Sequence, residues 1–275
     1  MKDWIGRELV QHDVLTPGLL ARFRATIDSG ETGKTAAQGI HWCLCLPDAA
    51  TAALDVDGHP QRGAFLPPVT LPRRMWASSA ITFHHPIIAG AAIERRSVIA
   101  EIAEKEGASG HLVFVDIDHE TRADGALAVS ERQTIVYRDA ATASPAPPGS
   151  GRPDLDQWQW HRSLIPSEAL LFRYSALTFN SHRIHYDRPY ATEVERYRGL
   201  VVHGPLMATF LLDLAARELG ANMLASFSFR GQSPAIAGEA LHLAGRVEGE
   251  AITLAALGSD GRTVMSAQAK GQVQP

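Results

Sequence analysis

Asn180, His185 and Asp187 fall within eight residues of one another in the run Phe179-Asn180-Ser181-His182-Arg183-Ile184-His185-Tyr186-Asp187, which Arg188 and Pro189 follow. These are side chains that hold a water or move a proton, in a stretch too polar to be a buried strand, and such crowding points to general acid/base chemistry. His185 is the natural base, because imidazole titrates near neutral pH. Asn180 can hold a water through its amide but cannot accept a proton as a carboxylate does. Further on, Val202-His203-Gly204-Pro205 reads as the start of a helix. Pro205 has no N–H, so Gly204 is left to offer its backbone N–H where the helix dipole favours developing negative charge.

The neighbouring polar residues carry plainer alternatives. His182 is expected on the loop surface, and Asp187 to pair with Arg183 or Arg188. His203 either hydrogen-bonds across the floor of a pocket or merely precedes the helix. Gly204 is also acceptable as a simple helix cap.

The elements that must position these residues are legible in part. From Pro205 to Leu219, Leu206, Met207, Phe210, Leu211, Leu214 and Ala215 recur at three and four residues, a broad apolar face that calls for a sheet wrapped around a helix. Strand patterns follow over Met223 to Arg230, Ala240 to Glu248, Ile252 to Leu257 and Thr263 to Gln272, with Glu248-Gly249-Glu250 and Ser259-Asp260-Gly261-Arg262 as turns. In the first half, Thr16-Pro17 offers a cap and a first-turn proline to a helix carrying Leu19, Leu20, Phe23 and Ile27. Ser97 to Glu101, His111 to His119 and Leu127 to Tyr137 read as strands, and Glu31 to Gln38 as a loop.

The motif Tyr174-Ser175-Ala176-Leu177-Thr178-Phe179-Asn180-Ser181-His182-Arg183-Ile184-His185-Tyr186-Asp187 resembles the signature of the MaoC-like hydratase/dehydratase superfamily, in its hydroxyacyl-thioester dehydratase type 2 branch. Phe65-Leu66-Pro67-Pro68-Val69 and Leu71-Pro72-Arg73-Arg74-Met75-Trp76 resemble the N-terminal half of that branch, so the likeness spans nearly the whole chain. The resemblance implies an α+β double hotdog, two tandem copies of a long helix wrapped by an antiparallel sheet, with catalysis in the second. The expected division is an N-terminal, non-catalytic hotdog over 1–140, a Pro/Ala/Gly/Ser linker over 141–154 and a catalytic hotdog over 155–275. It implies a hydro-lyase acting on a short or branched enoyl-CoA or 3-hydroxyacyl-CoA, with mesaconyl-C4-CoA the first expectation and itaconyl-CoA or a general 3-hydroxyacyl thioester the alternatives. The superfamily carries Asp five residues before its catalytic His; here that position is Asn180, read as a feature of the branch. A thioesterase is disfavoured because Pro205 to Phe210 supplies no carboxylate, and a non-catalytic acyl-CoA-binding subunit because Asn180, His185 and Gly204 occur together.

For the CoA phosphates the candidates are Arg73, Arg74, Arg95 and Arg96, with Arg188 and Arg230 nearer the catalytic elements. A second carboxylate on the substrate would need a bidentate arginine, for which Arg183 is the first choice, while His182 and His203 complete the expected substrate contacts. The resemblance implies neither a metal nor a bound cofactor.

Composition bounds the rest. The 275 residues are 45% hydrophobic and 20% charged, as in soluble globular proteins, and the net charge of −4 disfavours a nucleic-acid-binding surface. No run reaches the apolar length of a membrane span and the start lacks a signal-peptide core, so the cytoplasm is the expected compartment. Cys43 and Cys45, in a strand-like run, are expected as buried reduced thiols sharing one face. A homodimer of such units is compatible with the fold. One internal likeness, Ser79-Ala80-Ile81-Thr82-Phe83 against Ser175-Ala176-Leu177-Thr178-Phe179, is read as chance, with His84 and His85 at a strand end or interface.

Overall fold

The computed structural model describes residues 1–107, 110–140, 149 and 151–272. In chain order the elements are β1 (Glu8–Val14), α1 (Pro17–Ile27), β2 (Arg73–Phe83), β3 (Ala92–Gly107), β4 (Gly110–Ala123), β5 (Ala126–Arg138), β6 (Trp160–Leu164), α2 (Glu168–Leu177), α3 (Gly204–Leu219), β7 (Leu224–Gly231), β8 (Leu241–Glu248), β9 (Ala251–Gly258) and β10 (Thr263–Gly271). Of the expected linker, residues 141–148 and 150 lie outside the described residues.

All ten strands form one antiparallel sheet in the order β1-β3-β4-β5-β2-β7-β10-β9-β8-β6. Read outward from the middle, the first half runs β2-β5-β4-β3-β1 and the second β7-β10-β9-β8-β6, the same topology twice. The halves are sewn together by β2 against β7, Ser79 opposite Phe229 and Ile81 opposite Phe227. This agrees with the double-hotdog expectation. It also disposes of the internal likeness: Ser79–Phe83 lies on central strand β2, whereas Ser175–Phe179 closes α2, and His84 stands at the end of β2 with Nε2 3.0 Å from Ser130 Oγ.

The helices of the two halves differ. Thr16 Oγ1 accepts from the Leu19 N–H and Ser167 Oγ from the Leu170 N–H, so α1 and α2 start with the same cap and occupy the same place after an edge strand. The second half then adds α3, whose residues from Leu206 to Ala215 are all buried. Each fully buried Leu or Phe there stabilises the fold by roughly 1.5–3 kcal/mol. The first half instead runs irregularly from 28 to 72, with a short 3₁₀ turn at Ile40–Cys43. That turn packs on α3, since a side chain at Gly39 would come within 3.2 Å of Leu212 Cδ1. Cys43 and Cys45 are free and buried, but in this turn and a left-handed residue (φ 50° at Cys45), not in a strand. Burial pushes the Cys43 thiol up to about 12.

Candidate active site

The residues after α2 are shaped by local hydrogen bonding. Phe179 takes a left-handed backbone (φ 47°), and Asn180 Oδ1 accepts from the His182 N–H at 2.9 Å, an Asx turn that bends the chain inward. A 3₁₀ turn, Arg183–His185, then carries His185 beneath the start of α3. With its carbonyl engaged, Asn180 has its amide hydrogens left to donate.

His185 is buried, and its Nδ1 lies 2.7 Å from the Val201 carbonyl oxygen. A carbonyl only accepts, so Nδ1 carries the proton and Nε2 is the lone-pair nitrogen. Burial drives the pKa down to about 4, partly opposed by that hydrogen bond. The ring is therefore a neutral base at neutral pH. Beneath it His203 stacks with centroids 3.6 Å apart and planes 19° from parallel, and His203 Nε2 meets Ser175 Oγ at 2.8 Å. His203 is also the residue preceding α3, yet its side chain makes no cap hydrogen bond. The first-turn N–H groups of α3, Gly204 foremost, thus lack a side-chain acceptor, an arrangement that suits an oxyanion.

His182 is not on the surface. It is 8% exposed, 5.5 Å in ring centroid from His185 and 4.1 Å from His59, so that four imidazoles run in a line from His59 to His203. The cover comes from the first half. A strap at 55–62 docks on the loop: the Asp57 carbonyl accepts from the Arg183 N–H at 2.9 Å, the Val56 carbonyl from Arg183 at 3.0 Å, and the Gly58 carbonyl from Ser181 Oγ. A Cβ on Gly58 would come within 1.9 Å of the Ser181 oxygen, which with φ 87° requires glycine there. The strap delivers Asp57 and His59, which sequence reasoning missed because nothing in an irregular segment marks which residues will face a loop more than a hundred positions later. Asp57 Oδ1 accepts from the His59 N–H at 2.9 Å and Oδ2 from His59 Nδ1 at 3.0 Å. Burial opposes its ionisation, but these bonds hold the Asp57 carboxyl well below the usual range. Burial also lowers His59, His182 and His203. One ligand atom each from Asp57, His59 and His182 lies within 4.8 Å of the others, a spacing a divalent ion could span. Of these groups His59 Nδ1 is already engaged by Asp57, and the Arg74 charge bears on both rings.

The expected arginines scatter. Arg183 Nε and a terminal nitrogen donate to Asp187 Oδ2 at 2.9 and 2.7 Å, with the guanidinium 4.2 Å from the Tyr190 ring, so Arg183 is spent on the Asp187 pairing. Arg188 pairs with Glu168, and Arg73 is buried against Glu195. Arg230 sits on β7 between strand positions whose buried members, Phe227 and Phe229, face the core; it points the other way, into a shallow groove with Ser78 and Ser266. Arg95 is held by the Leu44 carbonyl at 3.2 Å and by Gln11, and Arg96 pairs with exposed Glu8, both inside or on the first half. The Arg74 charge bears on His59 and His182, and that of Arg62 on His59 as well. On α3 the nearest carboxylate, Asp213, is bound by Arg162 at 2.8 Å and Arg217 at 2.7 Å.

The candidate site thus offers a buried neutral imidazole, an asparagine amide and an uncapped helix start, in a fold that known proteins share. Residues 39–237 match the model of the hydroxyacyl-thioester dehydratase type 2 family. A mesaconyl-C(4)-CoA hydratase of Chloroflexus aurantiacus is 43% identical over 269 residues, 96% of this chain and 95% of that protein. Among solved structures, a MaoC-like dehydratase superposes with a TM-score of 0.74 at 14% identity, covering 99% of both chains. A Mycobacterium tuberculosis protein described as a double hotdog superposes with a TM-score of 0.61 at 12% identity, covering 97% of this chain and 96% of that one. The chain belongs to the hydroxyacyl-thioester dehydratase type 2 family of MaoC-like hydro-lyases, folded as a double hotdog.

Proposed function

We propose that this enzyme reversibly adds water to mesaconyl-C4-CoA, giving a citramalyl-type CoA ester, with His185 as base. The observation that carries the reading is the Nδ1 bond of His185 to the Val201 carbonyl, which leaves Nε2 as the acceptor beside the start of α3. The relative at 43% identity, itself a mesaconyl-C(4)-CoA hydratase, supports the choice of substrate. Asn180 donates an amide hydrogen to the attacking water and fixes its direction. As water bonds to the β carbon, its proton passes to His185 Nε2 and electron density moves onto the thioester oxygen, which the Gly204 N–H receives; loss of one such donor elsewhere costs about 3 kcal/mol in barrier. The imidazolium so formed is the acid that returns the proton to the α carbon. Atoms and charge balance without a metal or redox cofactor, and we take the cytoplasm as the compartment. Thioester hydrolysis is disfavoured because the α3 carboxylate, Asp213, is tied to two arginines.

The test follows the enoyl-thioester absorbance with crotonyl-CoA, mesaconyl-C1-CoA, mesaconyl-C4-CoA and itaconyl-CoA. Loss of the band with mesaconyl-C4-CoA and far more slowly with crotonyl-CoA is expected. Preference for crotonyl-CoA, or release of free thiol without hydration, would overturn the reading.

A further inference from the structure

The hydration just proposed places a constraint on the site. In mesaconyl-C4-CoA the free carboxylate is bonded to the same carbon that water attacks, so its receptor must sit immediately beside the base. Left unneutralised there, that charge would repel the oncoming oxygen nucleophile. The place next to His185, on the side away from His203, is filled by His182, and beyond it by His59.

The candidate arginine for this place is Arg74. Opposed residues of an antiparallel pair share a face of the sheet. Arg74 stands opposite Tyr137 in the ladder of β2 and β5, and Tyr137 is completely buried, so Arg74 is aimed inward while its neighbour Met75 is exposed. Among the described residues no carboxylate lies within ion-pair distance of Arg74, whereas Arg73, Arg183 and Arg188 are each paired. Arg62, over the Tyr137 ring at 5.6 Å, is spent on the carbonyls of Val69, Leu71 and Pro72. The Tyr137 hydroxyl is buried with no partner at strict hydrogen-bond geometry, and Arg74 is the side chain close enough to act on it as a donor. Asp57, whose two oxygens each accept from His59, lies outside ion-pair distance of Arg74. The Arg74 charge is felt by His59, His182 and Tyr137, and that of Arg62 by His59 and Tyr137.

We propose that Arg74 and the Tyr137 hydroxyl form the receptor for the free carboxylate of a dicarboxylic enoyl thioester, holding it against His182 and one bond from the carbon that His185 hydrates. Arg74 then sets specificity and does not contact the CoA phosphates. The proposal rests on the hydration reading above.

Succinyl-CoA and butyryl-CoA, unreactive and alike except for the terminal carboxylate, separate the alternatives when their affinities are measured by calorimetry on one preparation. Arg74→Met is expected to weaken succinyl-CoA about 50-fold, as loss of a charged bidentate pair does, with butyryl-CoA within about threefold. Tyr137→Phe is expected to weaken succinyl-CoA alone, by about fivefold. Arg74→Lys, which keeps the charge and loses the fork, serves if the methionine variant does not fold, and must narrow the succinyl-to-butyryl ratio. Equal losses for both ligands would make Arg74 a phosphate contact and overturn the receptor, as would no loss for either. Wild-type protein that hydrates no dicarboxylic thioester sinks the hydration reading and the receptor together; hydration of mesaconyl-C4-CoA with equal losses sinks the receptor alone.

Discussion

The two halves run the same course, edge strand, capped helix and four further strands, yet only one of them keeps a free base. Each buries imidazoles under the sheet. In the first half His41 Nε2 faces Glu131 at 3.4 Å, Trp42 Nε1 donates to the same carboxylate at 3.2 Å, and Ser79 Oγ joins them. Burial opposes ionisation of Glu131, but His41, His119 and Ser79 hold it down at about 2. Burial takes His119 down to about 4. In the second half the imidazole of His185 meets a carbonyl and two other imidazoles, and among the described residues no carboxylate pairs with it. A carboxylate turns a buried histidine group into a closed network that stabilises the fold, whereas a carbonyl fixes the tautomer and leaves the far nitrogen available. Asn180, where the resemblance places an Asp, belongs to the same pattern, and the Asp57 carboxylate brought from the first half is already engaged by His59.

That contrast can be broken most sharply at His185. His185→Ala is expected to lower kcat/KM for hydration by about 10³-fold or more, within the range for removal of a general base, with an unchanged circular dichroism spectrum. Its counterpart Glu131→Ala should act on stability: stranding His41, Trp42 and Ser79 in the interior is expected to cost about 3 kcal/mol in denaturant unfolding, with kcat/KM of the folded protein within a few-fold of wild type. The strap joins the halves. A side chain at Gly58 must push it off Ser181, so Gly58→Ala is expected to lower kcat/KM about 10²-fold through misplaced His59 and His182, as displacements near 1 Å do. The smallest effect probes what the halves share: Thr16→Ala and Ser167→Ala should each cost about 1 kcal/mol, equal within error and without effect on turnover. Unequal losses would mean that α1 and α2 are not equivalent in energy as they are in topology.

How much of this the residues announce depends on how local each cause is. Helix α3 and strands β7 to β10 were legible because period and turn chemistry are set within a few positions. Strands β1, β2 and β6 were not identified, being bordered by irregular chain or set at an edge, and α2 was obscured because apolar residues line most of its surface. The burial of His182 was misread since its cover is a strap supplied from 55–62. Which arginine faces inward is settled by the register of β2 on β5 and by a shift between Trp76 and Ser78, neither of which a single strand reveals. The pairing of Arg183 with Asp187, four residues apart, was by contrast within reach of spacing alone.

The central claim is that His185 is a neutral, Nδ1-protonated base, and imidazole ¹⁵N chemical shifts measured from pH 8 to 4 test it directly, with the His185 signals assigned by their loss in His185→Gln. The folded pKa lies near 4, below the unfolded value of about 6.5, so the neutral ring stabilises the fold above pH 6.5 and that contribution drains away as pH falls toward 4. The account predicts one protonated Nδ1 and one lone-pair Nε2 for His185 throughout pH 8 to 5, with protonation only as the pH approaches 4. An Nε2–H tautomer, or a titration centred near 6.5, would contradict it.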